Sequence, residues 1–176
     1  MVDPAAPKYE RITDYLAADH ARLRAHMDQA TQDGAVILEH YEAFRSGLLR
    51  HIGIEERVLF PAVKLALDGE YPPGTAQLRL EHAAITSLLV PTPDVALCSE
   101  LKALLSDHDG REEGPSGVYA ACEACLTAEQ SAELAVQAAA RSVVPTMPHY
   151  DGENTHRTRA SALESAGRVR RNRGTK

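Results

Sequence analysis

The hydrophobic residues of the chain recur at intervals of three and four positions, which is the repeat of an α-helix that buries one face. Segments rich in glycine, proline and aspartate separate these repeats and mark the ends of helices. Two shorter helices are expected near the C-terminus, over about residues 118–126 and 129–142. Before them the pattern predicts four main helices, over about residues 13–32, 35–67, 75–90 and 94–113.

The connections between the four main helices are short, and short connections favour antiparallel neighbours. The composition agrees, because the chain has no Trp, only two Phe and many Ala and Leu. We therefore expect an all-α fold, an up-down-up-down four-helix bundle with one or two short C-terminal helices. The bundle should span residues 9–143, between a disordered lead-in (residues 1–8) and a Pro-flanked segment with a basic, mostly disordered tail (residues 144–176).

The charge of the chain is unevenly distributed. Seven basic residues and one acidic residue lie between positions 157 and 176, so this tail carries +6 and the remainder of the chain −12. Such a tail could contact a protein partner, but arginine without interleaved aromatic residues is weak evidence for nucleic acid, which is not expected as a partner. A solvated tail is the simpler interpretation.

Three features of the sequence bear on where the protein is found. No apolar run approaches the roughly 20 residues that span a bilayer, and the N-terminus lacks the apolar core of a secretory signal. Three Cys are too few, and odd in number, for a disulfide framework. We expect a cytoplasmic protein, a monomer or small oligomer, that does not enter a membrane.

Four histidines interrupt the apolar faces of the four main helices. Two of them are each followed by a glutamate one helical turn later, on the same face. A single inward histidine is usually a hydrogen-bonded core residue, but four imidazoles and two carboxylates converging inside a bundle need a cation. Divalent metals suit such mixed ligation. The sequence therefore predicts a metal site, here called the six-residue site: His20, His51, Glu55, His82, His108 and Glu112.

Six protein ligands would crowd one ion, whereas two ions that share the two carboxylates as bridges use all of them. Helix bundles build dinuclear sites from facing helices in this way. Two imidazoles per ion, the two carboxylates and a bridging oxide or hydroxide would leave one position open on each ion, where small molecules bind. The absence of Cys from the ligand positions disfavours a thiolate zinc or iron–sulfur site.

These residues resemble a known family, the hemerythrin-like (HHE cation-binding) domain. The resemblance covers about residues 10–140 and implies a four-helix bundle with a non-haem di-iron site. Members of the family bind dioxygen or nitric oxide, sense iron or oxygen, repair iron centres or decompose peroxide. The resemblance rests on His20, the block His51-Ile-Gly-Ile-Glu55-Glu-Arg-Val-Leu-Phe-Pro61, the pair Glu81-His82 and the segment His108-Asp-Gly-Arg-Glu112-Glu.

The resemblance leads to two functional expectations. The first is a protein with two iron ions and a bridging oxide or hydroxide that binds or turns over a small oxidant, either dioxygen, peroxide or nitric oxide. The alternative is an iron- or oxygen-responsive regulatory or interaction module, whose metal site is a sensor and whose basic tail engages a partner. The sequence does not decide whether the protein is an enzyme. It also does not decide whether the metal is iron, manganese or zinc.

Three departures from the family pattern bear on the site. Oxygen-carrying hemerythrins have a second histidine one turn after the third-helix histidine, where this chain has Thr86, so one iron should lack a third imidazole. The carriers' spacing would select Glu113 as the last carboxylate; we choose Glu112 because it repeats the spacing of the first His/Glu pair. The usual apolar continuation is replaced by Gly-Pro-Ser-Gly-Val-Tyr119, so Tyr119 either approaches the site or packs beside it.

Several acidic residues stand next to the predicted ligands. Asp19, Glu81 and Asp107 each precede an inward histidine and are expected to orient the ligating histidines. Glu56 and Glu113 are expected at the surface or beside the ligands rather than among them.

Overall fold

The computed structural model describes residues 9–32 and 34–174, and the regular structure of these residues is entirely helical. This confirms the all-α fold predicted from the sequence. The predicted lead-in, residues 1–8, lies outside the described residues. No helix in the described part of the chain is both long and apolar enough to cross a membrane. The α-helices are α1 (Ile12–Thr31), α2 (Leu38–Ile54), α3 (Phe60–Ala66), α4 (Thr75–Leu88), α5 (Val95–Glu113), α6 (Val118–Glu123), α7 (Ala128–Ala139) and α8 (Arg159–Gly174).

The second predicted helix is not one uninterrupted α-helix. It consists of α2 and α3, joined by a π-helical turn over Glu55–Leu59 in which the backbone N–H of Phe60 donates to the carbonyl of Glu55. Pro61 has no N–H and cannot make the α-helical bond of this turn, so the wider turn keeps the chain helical past it. Such turns are frequent at functional sites, and this one begins at a residue of the six-residue site.

The core consists of two clusters of buried apolar side chains with a polar layer between them. Helix α1 packs on α2 and α5, and α4 packs on α5, so the helices that carry the four histidines enclose this layer. Because apolar side chains lie on both sides of it, the layer is shielded from water. On three helices the histidine lies between a residue of the first cluster and a residue of the second. The first-cluster residues are Leu23 (α1), Leu48 (α2) and Ile85 (α4), and the second-cluster residues are Leu16 (α1), Ile54 (α2) and Leu78 (α4).

Helix α5 has well-defined ends, as the sequence predicts. It begins after Asp94, whose carboxylate caps it by accepting from the backbone N–H of Leu97 (2.7 Å). It ends before Gly114, and the N–H of Gly117 then donates to the carbonyl of Gly114 (2.7 Å). This tight turn starts α6 directly beside the end of α5.

The C-terminal tail differs from the expectation of little regular structure. Residues 159–174 form α8, which packs along α4. Ala162 is buried in the first cluster, with Ala166 packed against it, and the guanidinium of Arg170 donates to the carbonyl of Ala76 (2.9 Å). Within this basic segment a few apolar residues, Ala162, Leu163 and Ala166, pack against the core.

Candidate metal centre

The structure brings the six-residue site together in the polar layer between the two apolar clusters. All six side chains are buried, and none of these residues is more than 4% exposed. Several helices supply them, so the arrangement exists only in the folded chain. They come from α1 (His20), α2 (His51), the π-helical turn (Glu55), α4 (His82) and α5 (His108 and Glu112).

Glu112 stands between different histidines. Its Oε1 atom lies 3.1 Å from Nε2 of His108 and 3.9 Å from Nε2 of His82. Its Oε2 atom lies 3.3 Å from Nε2 of His20. The two oxygens of this carboxylate therefore face separate imidazoles, which is the arrangement that a bridge between two ions needs.

Glu55 is oriented differently. Its Oε2 atom lies 3.1 Å from Nε2 of His82 and 3.7 Å from Nε2 of His51. Its Oε1 atom instead accepts a hydrogen bond from the hydroxyl of Tyr119 (2.6 Å). Glu55 therefore presents one oxygen to the histidines, whereas Glu112 presents both.

The donor atoms are spaced as ligands of shared ions would be. Adjacent ligands on one ion, each about 2.0–2.2 Å from it, lie roughly 3 Å apart. The closest contacts between histidine and carboxylate in the site are 3.1–3.3 Å, which fits this spacing. Two groups of donor atoms, each within 4.8 Å of one another, share Glu112: one holds Glu55, His82, His108 and Glu112, and the other holds His20, His51 and Glu112.

Several buried atoms of the site also lack a hydrogen bond of acceptable geometry within the described part of the chain. They are Nε2 of His51, Nε2 of His82, Oε2 of Glu55 and Oε1 of Glu112. A buried polar atom without a partner costs roughly 1–3 kcal/mol, and more when it is charged. Cations bound between these atoms would satisfy all of them, so the residues present fit a pair of metal ions.

The other ring nitrogen of each histidine is held by a second carboxylate, and we call this set the four supporting carboxylates. The distances from Nδ1 to the carboxylate oxygen lie between 2.6 and 3.1 Å. A neutral ring that donates from Nδ1 has no proton on Nε2, which is the form that binds a metal through Nε2. The pairs are His20–Glu113, His51–Asp19, His82–Glu56 and His108–Glu81.

Asp19 and Glu81 hold histidine rings as predicted, but not the rings that follow them in the sequence. Neighbouring residues on a helix project in different directions, so each carboxylate reaches a histidine on another helix: Asp19 contacts His51, and Glu81 contacts His108. The prediction for Asp107 is wrong. Its side chain is 60% exposed and forms an ion pair with Arg159 of α8 at 3.7 Å.

Glu56 and Glu113 lie beside the predicted ligands, as expected from the sequence. Oε1 of Glu113 contacts Nδ1 of His20, whereas Glu112 is fully buried; that Glu112 is the ligand stays a prediction. Asp109 was missed: its Oδ1 atom lies 3.8 Å from Nε2 of His20 and has no hydrogen-bond partner in the described residues. It follows His108 directly and is off the apolar stripe of α5, so the helical repeat gave no signal for it.

The close packing of carboxylates around the histidines determines the protonation state of the site. Burial disfavours the charged form of His108, but the neighbouring carboxylates of Glu112 and Glu81 raise its pKa to about 9. Burial acts in the same way on His82, yet the neighbouring carboxylates of Glu112, Glu55 and Glu56 raise its pKa well above the ordinary value. Without a bound cation, protons on the imidazoles therefore balance the carboxylates, and a cation must displace them.

Tyr119 approaches the site rather than packing beside it. The residue is buried, and its ring lies parallel to that of His20 (interplanar angle 10°, centroids 6.0 Å apart). Its hydroxyl, which donates to Glu55, also lies 3.4 Å from Oε2 of Glu112. Burial and then the charges of Glu55 and Glu112 raise the pKa of Tyr119 well above its ordinary value, so the phenol keeps its proton.

Two openings reach residues of the site. A cavity of about 390 Å³ lies between α1, α2 and α5, and its wall includes His20. A groove between α4 and α8 is lined by both His82 and Thr86. Thr86 itself is exposed, and its hydroxyl donates to the carbonyl of His82 (2.7 Å), so position 86 contributes to the groove rather than to the interior. Five of the eleven residues that line the cavity are apolar: Leu23, Met27, Phe44, Leu48 and Leu105.

Comparison with known proteins gives one match. The family model of the hemerythrin HHE cation binding domain matches residues 11–128, about two thirds of the chain, and this range includes the whole six-residue site. No curated protein and no solved structure gives a significant match.

Proposed function

Because the chain belongs to the hemerythrin HHE cation-binding domain family, we propose that it binds two iron ions in the six-residue site and uses them to bind or turn over a small oxidant. The oxidant is dioxygen, peroxide or nitric oxide. In this proposal α1, α2 with α3, α4 and α5 form an up-down-up-down four-helix bundle around the ions. The packing of α1 on α2 and α5, and of α4 on α5, supports that arrangement.

The observation that carries the proposal is the position of Glu112. One carboxylate whose oxygens face separate Nε2 atoms suits two ions better than one. His82 and His108 would hold one ion, and His20 and His51 the other, with Glu112 between them. Two histidines and a carboxylate with open positions are typical of non-haem iron sites.

The protein's own residues prepare the site for this chemistry. When bound, iron supplies redox chemistry and open positions at which the oxidant binds. The four supporting carboxylates fix the histidine rings, and the two apolar clusters shield the site from water. The hydroxyl of Tyr119 donates a hydrogen bond to Glu55. The cavity between α1, α2 and α5 gives a small molecule an approach to His20.

The proposal is tested by the metal content and optical spectrum of the purified protein. We expect two iron ions per chain after aerobic reconstitution, an oxo-bridged diferric absorption, and a spectral change on adding azide, peroxide or nitric oxide. Protein that holds no iron and shows no such absorption would refute it.

Two variants of α5 sharpen this test. Glu112→Gln removes the shared negative charge and is expected to lose at least one of the two ions. Asp107→Asn changes an exposed acid of the same helix and should keep both. Equal iron content in the two variants would show that Glu112 does not join the ions.

One observation favours the alternative, an iron- or oxygen-responsive module that engages a partner through its basic tail. Helix α8 packs on α4 and borders the groove that contains His82, so a change at the site could alter how the tail is held. Deleting residues 157–176 separates the two functions. Loss of partner binding with unchanged oxidant chemistry would favour the module, and unaltered behaviour in every assay would remove the reason for it.

A further inference from the structure

We infer that Tyr119 is a positioning residue of the centre: its hydroxyl restricts Glu55 to one ligating oxygen and thereby keeps a coordination position open for the small ligand. The inference rests on the proposed function, because it concerns how the same ions are held. It assigns a task to the one polar side chain of α6 that contacts the six-residue site in the described part of the chain.

The two glutamates of the site differ in the groups that their oxygens face. Both oxygens of Glu112 face histidine Nε2 atoms. Only Oε2 of Glu55 does so, since Oε1 lies 2.6 Å from the hydroxyl of Tyr119. A carboxylate with one oxygen engaged in a short charge-assisted hydrogen bond binds an ion through the other oxygen. Freed from Tyr119, Glu55 would have both oxygens available and would fill the position left for the ligand.

The turn before α6 is built to bring Tyr119 to this place. A Cβ atom added to Gly117 would lie 2.3 Å from the carbonyl oxygen of Glu112 and 2.8 Å from that of Arg111. Only glycine allows so close an approach between this turn and the last turn of α5. The close approach places the first turn of α6, and with it Tyr119, against the carboxylates.

The Tyr119 ring has little freedom once it is in place. It is buried in the second cluster and stacks on His20. The hydroxyl is therefore fixed relative to a histidine of the site as well as to Glu55. A fixed donor can hold the orientation of a carboxylate, whereas a mobile one would follow it.

The test compares Tyr119→Phe with Tyr41→Phe. Both residues are buried tyrosines, but the hydroxyl of Tyr41, in the first cluster, has no hydrogen-bond partner in the described residues. In metal-free protein, Tyr119→Phe should lower Tm more than Tyr41→Phe, because only the first leaves Oε1 of Glu55 buried without its donor. Equal Tm values in the two metal-free variants would overturn the inference without reference to iron.

The second measurement uses the iron-loaded proteins. Tyr119→Phe should keep its iron content but bind azide and nitric oxide more weakly, by about tenfold for the loss of one well-formed interaction. Its diferric absorption and magnetic coupling should also shift, since Glu55 changes its mode of binding. Tyr41→Phe should match the wild type in both.

The outcomes separate this inference from the proposed function. Wild-type protein that fails to take up two iron ions refutes the function. Wild-type protein that takes them up, with Tyr119→Phe unchanged in ligand affinity and spectrum, refutes the inference alone. A weaker affinity without any spectral change would also overturn it, because the change would then not arise at Glu55.

Discussion

Glu81 of α4 reaches across to α5, where its carboxylate meets both Nδ1 of His108 (2.9 Å) and the guanidinium of Arg111 (2.9 Å). Replacing it by glutamine keeps the shape of the side chain but removes the charge. An amide oxygen can still accept from Nδ1, so the ring is held by a neutral hydrogen bond about half as strong. Loss of a carboxylate that supports a metal-binding histidine typically lowers metal affinity 10–100-fold.

We therefore expect Glu81→Gln to lower metal affinity by about tenfold, or about 1.4 kcal/mol, at the lower end of that range. Glu81→Ala removes the acceptor altogether and should approach about a hundredfold. The broken ion pair with Arg111 adds little, because that arginine side chain is 47% exposed. Asp107→Asn, a change at an exposed acid of the neighbouring helix, is the matched control and should have no effect.

The assay is a competition titration against a chelator, read out as metal retained per chain. The titration is carried out above pH 9, because the neighbouring carboxylates raise the pKa of His108 to about 9 in the metal-free protein. At lower pH protons compete with the metal for His108, and the loss of Glu81 lowers the affinity of this ring for protons. That change would favour metal binding and partly hide the loss of metal affinity. An affinity within twofold of wild type for Glu81→Ala would refute the role assigned to the supporting carboxylates.

Three further predictions follow from the same structure. Gly117→Ala should displace α6 and weaken azide binding as Tyr119→Phe does. Gly110→Ala, where an added Cβ meets open space, is the control and should leave azide binding unchanged and Tm unchanged or higher. Ligand titration and thermal unfolding compare the two variants. Leu105→Trp should fill the cavity and slow nitric oxide binding in stopped-flow measurements with iron content unchanged; Leu65→Trp, at a residue 83% exposed, should not. The raised pKa of His108 stabilises the metal-free protein fully below pH 6.5, and this contribution is lost as the pH rises through about 9. The Tm of the metal-free protein should therefore fall over that window, and metal binding at pH 7 should release protons that calorimetry in two buffers detects; a flat Tm profile with no proton release would contradict this reasoning.

The six-residue site could be predicted from the sequence because its signal is local. A charged or titratable residue on an apolar helical stripe is unusual enough to be noticed within one helix, as for His51 and Glu55. Repetition of the pattern at His108 and Glu112 then indicates that the two pairs belong to one site. The structure places all of these side chains in one buried layer. Their role as metal ligands stays a prediction.

The partners of these residues could not be predicted in the same way, because they depend on how helices face one another. Glu56 follows Glu55 and lies off the stripe, yet from the π-helical turn it reaches Nδ1 of His82 on α4 (3.0 Å). Tyr119 reaches Glu55 only because of the close approach at Gly117. Helix α8 was missed for a related reason: it contributes only a few apolar residues to the core, Ala162 with Leu163 and Ala166, within a largely basic segment.

Arginines around the site offset much of the charge of the four supporting carboxylates. Each supporting carboxylate is paired with an arginine at 2.8–3.6 Å. These arginine side chains are about half exposed, so each pair adds little stability, but together they offset the charge of the four acids. Arg24 is also paired with Asp109, so this offset is incomplete beside His20. The charges of Glu55 and Glu112 in the interior must be balanced either by protons on the histidines or by bound cations. The pairs are Asp19–Arg22, Glu56–Arg79, Glu81–Arg111 and Glu113–Arg24.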